Sequence, residues 1–246
     1  MKITVAKNER EFDEMAAWRI IGQMLQKQDA VIGLSTGNTT KNMHQIVSEI
    51  YGLHPFDTSG VYLFNVDELT NLPRTYAGSC YAMIKSQICD SLHIPEERFI
   101  MPQTMCDDFD AECRIFERQL SKLGGVDLQM LGIGWNGHIG INQPGTPFGS
   151  NTWVSPMDDI FEARVREETK VADDYPLGGL TLGIKTIMMS KKIVLIAKGK
   201  EKAEIIKKAV EGPVTEEIPA SVLQLHPNCE VLIDGEAASL LGTVNK

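Results

Sequence analysis

LGIGWNGHIGINQP, residues Leu131–Pro144, is the stretch around which the rest of the chain can be ordered. It begins as the end of an apolar run and then carries four closely spaced glycines: Gly132, Gly134, Gly137 and Gly140. A buried strand that ends in such glycines predicts close approach of the backbone to a ligand, because a residue without a Cβ leaves room and tolerates a positive φ. One ionisable side chain, His138, lies within these glycines, with amide side chains nearby at Asn136 and Gln143.

This stretch allows two interpretations of His138. A tight turn with a structural histidine explains the glycines alone, whereas a general base held at the carboxyl end of a strand also explains the two amides. The spacing G-x-G-x-x-G further suggests a dinucleotide site, but that motif opens the first helix of a Rossmann unit. Here it lies past the middle of the chain, and Pro144 follows where a long helix should begin. We therefore favour the general base and set the dinucleotide site aside.

The composition is that of an ordinary globular protein. Of the 246 residues, 43% are hydrophobic and 23% are charged, which fits a single domain covering residues 1–246. Lys and Arg number 24 and Asp and Glu 33, so the net charge is −9. This balance argues against non-specific binding to nucleic acid or to an anionic membrane.

The five cysteines form no C-x-x-C pair, no apolar run exceeds strand length, and no signal peptide is evident, so we predict a cytoplasmic protein.

Apolar runs of strand length alternate with segments of helical periodicity along the chain. Glu11–Lys27 carries apolar residues at helical spacing, and Asp108 precedes a second amphipathic segment that ends at Gly124-Gly125. The runs that predict strands are 1–5, 30–34, 61–66, 126–133, 192–197 and 229–233, and a short closing helix is expected from Gly235 onward. This order predicts an α/β fold of three layers, a mostly parallel, doubly wound sheet with helices on both faces.

Two further strand ends carry polar residues. The run 30–34 leads into STGNTT, residues 35–40, and then a predicted helix, where free N–H groups and the helix dipole favour a phosphate. A helix capped by Thr39 or Thr40 explains the same residues. The strand 61–66 ends in Asp67-Glu68, at the edge where open α/β sheets bind ligands, although solvated turn charges are the alternative.

Lys202 lies in the first turn of another predicted helix, which Gly199 opens. A cation there opposes the helix dipole, so an anion-binding role explains it better than a structural one.

Together these parts resemble the glucosamine-6-phosphate deaminase/isomerase family over nearly the whole chain. The segments that carry the resemblance are LSTGNTT, NVDELTNLP, LGIGWNGHIGINQPGTPFGS, LTLGIKTI, GKEKA and IPASVLQLHP, in that order. The family converts an amino-sugar 6-phosphate to fructose 6-phosphate and ammonia. The resemblance therefore implies a small sugar phosphate as the partner, and it implies neither a metal nor an organic cofactor.

The resemblance also implies roles for individual residues. Asp67 matches the base that moves a proton between C2 and C1 of the opened sugar. His138 matches the acid/base that opens the ring, and Asn136 the residue that orients this histidine. The substrate- and phosphate-binding positions are Thr36, Gly37, Asn38, Thr39 and Lys202.

Two positions depart from the family pattern. Gln143, the fourth candidate catalytic residue, stands where members carry a glutamate, so the histidine loses a charged partner. An arginine that helps to bind phosphate in the family has no direct counterpart. Ungapped alignment puts Glu167 at its position, with Arg164 and Arg166 nearby.

Three functions are consistent with the sequence. The leading one is a deaminase/isomerase of glucosamine 6-phosphate or of its C4 epimer, galactosamine 6-phosphate. A 6-phosphogluconolactonase shares the fold and the glycine–histidine turn but needs no C2 base, so Asp67-Glu68 and Asn142 favour the deaminase. A non-catalytic sugar-phosphate-binding protein is the third, suggested by Gln143. The sequence leaves open the epimer and the oligomeric state, for which a homo-oligomer is one alternative.

Overall fold

The strands are arranged in two sheets. The computed structural model describes residues 1–157 and 159–242. Its strands are β1 (Lys2–Ala6), β2 (Val31–Leu34), β3 (Tyr62–Asn65), β4 (Asp67–Thr70), β5 (Leu128–Gly132), β6 (Trp153–Ser155), β7 (Gly178–Thr181), β8 (Ile193–Ala197) and β9 (Cys229–Asp234). Six of them form a central sheet in the order β1-β9-β8-β5-β2-β3, with every neighbouring pair parallel. The predicted mostly parallel sheet is confirmed.

Helices follow most of these strands. They are α1 (Glu9–Gln26), α2 (Lys41–Leu53), α3 (Cys80–Ile84), α4 (Phe109–Lys122), α5 (Asp159–Thr169), α6 (Ile184–Met188) and α7 (Ala203–Glu211). The caps explain where α4 lies: the Asp108 side chain accepts a hydrogen bond from the Ala111 N–H at its start, and Gly124 and Gly125 take positive φ after its end. α3 continues into a π-helical turn, Lys85–Cys89.

The core confirms three layers, because alternate residues of the central strands enter different hydrophobic clusters. Leu131 and Leu195 pack with Phe116 of α4, whereas Met130 and Ile196 pack on the opposite face with helices α1, α2 and α3. Side chains alternate across a strand, so both faces of a sheet covered by helices must be apolar. The strands accordingly read as continuous apolar runs.

A second sheet of three short antiparallel strands, in the order β4-β7-β6, was not predicted. A third, smaller hydrophobic cluster beside it contains Leu69 of β4, Ile141, and Phe161 and Val165 of α5. Each of these strands has only three or four residues, several of them polar, which is too short for a clear period-two pattern.

Three local expectations need comment. Residues 235–240 form turns rather than the expected closing helix, and residues 243–246 lie outside the described part of the chain. The segment after Gly199 begins as a 3₁₀ turn, Lys200–Lys202, which leads into α7. Thr40 occupies the N-cap position of α2, but its side chain makes no capping hydrogen bond.

In the described ranges no helix is long and apolar enough to cross a membrane.

Candidate active site

Four neighbouring strands bring the predicted residues to one edge of the central sheet. The order β8-β5-β2-β3 places Lys202 after β8, His138 after β5, the turn 36–39 after β2 and Asp67 after β3. Because parallel strands end at the same edge, these segments are adjacent at the position where open α/β sheets bind ligands. The His138 loop lies between the segment of Lys202 and the turn 36–39.

The backbone of Gly134 is covered by the imidazole of His138. A Cβ built on Gly134 would lie 2.0 Å from Cε1 of the ring, so any other residue there would displace the histidine. The Gly134 N–H donates to the carbonyl oxygen of His138 at 2.9 Å, which closes the turn. The absence of a side chain at Gly134 thus makes room for the buried His138 ring.

An oriented set of hydrogen bonds determines which nitrogen of His138 carries a proton. Oδ1 of Asn136 accepts from the backbone N–H of His138 at 3.2 Å, and this N–H can only donate. Nδ2 of Asn136 is therefore the atom that faces Gln143, and it donates to Oε1 of Gln143 at 2.8 Å. The 2.8 Å contact between Nδ1 of His138 and Oδ1 of Asn136 must then be donated by the ring. The neutral imidazole carries its proton on Nδ1, which makes Nε2 the basic nitrogen.

Gln143 acts on His138 through Asn136. Its oxygen holds the Asn136 amide in the orientation just described, whereas its own Nε2 is buried without a hydrogen-bond partner among the described residues. A buried amide donor without an acceptor is unfavourable by about 1–3 kcal/mol. Only the oxygen of Gln143 takes part in orienting the histidine, and a glutamate would offer the same oxygen.

Helix α5 borders the site. The rings of Phe161 and His138 meet edge to face, with centroids 5.0 Å apart and planes at 72°. Helix α5 is therefore not a plain surface helix, because its Phe161 packs on the imidazole, a contact that no local sequence pattern indicates.

Asp67 lies in an environment that favours its protonated form. Burial and the neighbouring charge of Glu68 raise the pKa of Asp67 to about 7, against hydrogen bonds from Cys80 and Asn65 that lower it. Nδ2 of Asn65 donates to Oδ1 of Asp67 at 3.0 Å and to its carbonyl oxygen at 2.8 Å. A carboxyl group with a pKa near neutrality can both accept and return a proton, which is what a general acid/base requires.

Glu68 is buried and fully engaged with backbone. Its carboxylate accepts from the N–H groups of Leu69 at 2.8 Å, Cys80 at 2.9 Å and Tyr81 at 2.7 Å. These bonds join β4 to the start of α3. The alternative of solvated turn charges for Asp67-Glu68 is therefore wrong: Glu68 is structural, and Asp67 lies at the edge of the site.

The turn 36–39 leads into helix α2 without a side-chain cap. Gly37 has a φ of +138°, and its carbonyl oxygen accepts from the N–H of Thr40 at 3.1 Å and from its hydroxyl at 3.0 Å. Because the Thr40 hydroxyl is used in this way, no described side chain caps α2, and the N–H groups of its first turn remain for another acceptor.

Lys202 lies on the other side of the His138 loop and is influenced by the charge of Arg164. Nζ of Lys202 donates to the carbonyl oxygen of Ile133 at 2.8 Å, and burial together with the Arg164 guanidinium lowers the pKa of Lys202. Arg164 lies on α5 with its guanidinium carbon 5.1 Å from the centre of the Phe161 ring. The Arg164 guanidinium thus contributes a second positive charge to the surroundings of Lys202, although Arg164 also pairs with Glu168 at 3.8 Å.

Arg164 is a candidate that ungapped alignment did not identify. Arg166 is engaged elsewhere, since its guanidinium pairs with Glu162 at 2.6 Å and donates to the carbonyl oxygen of Tyr175 at 2.8 Å. Glu167, at the aligned position, is an exposed anion; Arg164 is exposed as well, but its guanidinium packs on the Phe161 ring. Arg164 lies one turn of helix α5 before Glu167, the position that ungapped alignment assigns to an arginine. Only the packing of α5 could show this difference in position. In the described part of the chain, no group of three or more His, Cys, Asp or Glu side chains is arranged to hold a metal ion.

Comparison with known proteins gives consistent matches. The family model described as glucosamine-6-phosphate isomerases/6-phosphogluconolactonase matches residues 13–232. A glucosamine-6-phosphate deaminase of Thermoanaerobacter pseudethanolicus is 37% identical over 241 residues, which cover 98% of this chain and 95% of that protein. One of Clostridium botulinum is 38% identical over 242 residues, covering 98% and 99% of the two chains.

Solved structures separate into two groups. A monomeric glucosamine-6-phosphate deaminase superposes with a TM-score of 0.93 at 35% identity, covering 98% of this chain and 100% of that one. A 6-phosphogluconolactonase from Trypanosoma brucei superposes with a TM-score of 0.77 at 19% identity, covering 98% of both chains. The second similarity establishes a shared fold only.

Proposed function

The chain belongs to the glucosamine-6-phosphate isomerase/6-phosphogluconolactonase family, and we propose that it is an enzyme that converts glucosamine 6-phosphate to fructose 6-phosphate and ammonia. The observation that carries this proposal is the similarity to glucosamine-6-phosphate deaminases at 37–38% identity over nearly the full chain. The roles of individual residues below are part of the proposal.

The 6-phosphate binds between the turn 36–39 and the pair Lys202 and Arg164. The start of α2, which no described side chain caps, and the positive charges of Lys202 and Arg164, which influence each other, support this assignment. The phosphate is remote from the carbons that react, so its binding energy serves to position the sugar. An overall charge of −9 makes such a local cationic site necessary for an anionic substrate.

His138 opens the pyranose ring. Its Nε2 takes the proton of the C1 hydroxyl, and the same proton or one from water is returned to the ring oxygen as the C1–O5 bond breaks. The Asn136–Gln143 pair supports this role, because it keeps the neutral ring in the tautomer with a basic Nε2.

Asp67 then moves a proton along the open chain. As carboxylate it takes the proton from C2, which gives an enolamine, and as carboxylic acid it returns a proton to C1. The resulting C2 imine adds water and expels ammonia, which leaves the ketose. The pKa near 7 supports this double role, since neither protonation state of Asp67 is strongly disfavoured at neutral pH. A lactonase has no proton to move between carbons and needs no such group.

The assay that tests the proposal offers the purified chain three substrates in parallel: glucosamine 6-phosphate, galactosamine 6-phosphate and 6-phosphogluconolactone. We expect ammonia and a ketose 6-phosphate in equal amounts from glucosamine 6-phosphate. Product formation from galactosamine 6-phosphate alone would show that the C4 epimer is the substrate in place of glucosamine 6-phosphate. Hydrolysis of the lactone without ammonia release from either amino sugar would replace the proposal by lactonase activity. Binding without turnover of any of the three would leave a sugar-phosphate-binding protein.

Two further expectations belong to this proposal. The cytoplasm is the expected location, because the five cysteines are free thiols, four of them buried, as in a reducing compartment. The oligomeric state is a separate point: one solved relative is described as monomeric, and a homo-oligomer is the alternative. Light scattering of the eluting peak in size-exclusion chromatography distinguishes a 27.2 kDa monomer from any larger assembly.

A further inference from the structure

Cys80 lies at the start of α3 with its thiol between two residues of the proposed active site. Its Sγ is 3.8 Å from Oδ1 of Asp67 and 3.2 Å from the hydroxyl of Thr36. The backbone of Cys80 is fixed, because its N–H donates to Oε1 of Glu68 at 2.9 Å. The resemblance to the deaminase family assigned no role to this position.

The direction of these hydrogen bonds follows from the chemistry of the groups. In its ionised form Asp67 can only accept, so the thiol is the donor to the carboxylate. Burial and the charges of Glu68 and Asp67 raise the pKa of the Cys80 thiol well above its usual range, so the donor proton stays on the sulfur. The hydroxyl of Thr36 is then left to donate to the sulfur.

The surroundings of Asp67 contain few other groups that could do the same. Among the described residues, the ionisable groups that act on it are Glu68, its neighbour in β4, and Cys80 from α3. Asn65 from β3 is a neutral donor, and Thr181 of β7, which pairs with Asp67 across the small sheet, is also neutral. Cys80 thus differs from Asn65, the other donor to Asp67, because its thiol also contacts Thr36 in the turn 36–39.

We propose that Cys80 is a positioning residue for Asp67, whose thiol donates a hydrogen bond to the carboxylate and connects it through Thr36 to the phosphate-binding turn. This inference rests on the proposed function for its catalytic meaning, but the hydrogen bond itself does not depend on it. Loss of the donor should make the carboxylate harder to form and move the acidic limb of the pH–rate profile to higher pH.

The test measures the pKa of Asp67 directly in the ligand-free protein. Carboxyl-¹³C-aspartate labelling gives its titration by NMR, and Asp67→Asn identifies the resonance. Cys80→Val removes the donor and keeps water out, so we expect the pKa of Asp67 to rise by about 0.5–1 unit, the scale of one hydrogen bond to a carboxylate. Cys80→Ser retains a donor and should lie closer to wild type. Thr36→Val should shift the pKa in the same direction as Cys80→Val, by less.

Cys89→Val is the matched control, because Cys89 is another buried thiol on the same helical segment and does not contact Asp67. It should leave both the pKa of Asp67 and the pH–rate profile unchanged. If Cys80→Val does not fold, Cys80→Ala removes the same donor. An unaltered Asp67 titration in Cys80→Val or Cys80→Ala would overturn the proposal. A shifted titration in a protein that makes no ammonia would leave the positioning role standing and reject the proposed function instead.

Discussion

The orientation of His138 depends on one backbone N–H. Because that group can only donate, it fixes the amide of Asn136, which in turn fixes the proton on Nδ1 of the ring. Gln143 reinforces this arrangement through its oxygen alone. The loss of a glutamate at position 143 therefore removes a charge but leaves the tautomer of His138 in place.

A prediction follows for Gln143→Glu. The new carboxylate keeps the acceptor for Asn136 and adds a negative charge that stabilises the imidazolium form of His138. We expect turnover limited by ring opening to rise roughly three- to tenfold, with the acidic limb of the pH–rate profile moved to higher pH, as for about one unit of change in a pKa. Steady-state kinetics with glucosamine 6-phosphate between pH 5.5 and 9 measure both effects.

Gln143→Leu is the opposite control for this prediction. It removes the acceptor and leaves the Asn136 amide unsatisfied, so turnover should fall. Equal kinetics of both variants and wild type would mean that position 143 has no influence on the histidine.

Residues close together in the sequence were the ones that could be predicted at this scale. His138, Asn136 and Gln143 lie within eight positions, and Asp67 directly follows a strand, so spacing and strand ends singled out these positions, whereas their roles were implied by the resemblance to the deaminase family. Cys80 and Phe161 were missed because they reach Asp67 and His138 from α3 and α5 through tertiary packing. No local pattern carries that information.

At the scale of elements, strand and helix periodicity predicted the central sheet, because its strands are buried on both faces and read as apolar runs. The small sheet β4-β7-β6 was not predicted, since strands of three or four residues of mixed polarity show no measurable periodicity. Yet this sheet is what supports α5: Leu69 of β4 and Phe161 of α5 share one hydrophobic cluster. The element that completes the site is thus supported by the part of the fold that was hardest to predict.

The placement of α5 gives a prediction for phosphate binding. Arg164→Ala and Lys202→Ala should each weaken binding of glucosamine 6-phosphate roughly ten- to hundredfold, the scale of a hydrogen bond between charged groups. Their effect on glucosamine without the phosphate should be small. Isothermal titration calorimetry with both ligands, made in an Asp67→Asn background that turns over slowly and repeated at two salt concentrations, measures these affinities.

Glu167→Ala is the matched control, because Glu167 holds the position that ungapped alignment assigns to an arginine and lies on the same helix. It should bind glucosamine 6-phosphate as wild type does or slightly better. Wild-type affinity in Arg164→Ala, or a large loss in Glu167→Ala, would contradict the placement of the phosphate beside Arg164.

At the scale of the whole molecule, one buried histidine makes stability depend on pH. His44 of α2 is fully buried, its Nδ1 lies 2.7 Å from Oε1 of Gln87, and its Nε2 has no partner among the described residues. Burial lowers the pKa of His44 from 6.5 to about 4. Below pH 6.5 the unfolded chain takes up a proton that the folded chain excludes, so this histidine destabilises the fold as pH falls from 6.5 towards 4.

His44→Asn should remove that dependence while offering an amide to Gln87. Between pH 7 and pH 5 the free energy of unfolding of wild type should fall by about 2 kcal/mol more than that of His44→Asn. Urea unfolding at the two pH values measures the difference. The exposed His54 provides the control, since His54→Asn should show the same dependence as wild type. Parallel behaviour of wild type and His44→Asn would show that His44 protonates without cost in the folded state.

The most direct measurement of the central claim is the rate at which wild type and Asp67→Asn release ammonia and fructose 6-phosphate from glucosamine 6-phosphate. The amide keeps the shape of the side chain but cannot take a proton from C2. We therefore expect equal amounts of both products from wild type and a turnover lower by roughly 10²–10⁴ in Asp67→Asn, with ligand affinity largely kept. Asp57→Asn, in an exposed loop, should match wild type. Product formation by Asp67→Asn at the wild-type rate would contradict the assignment of Asp67 as the proton-transfer base.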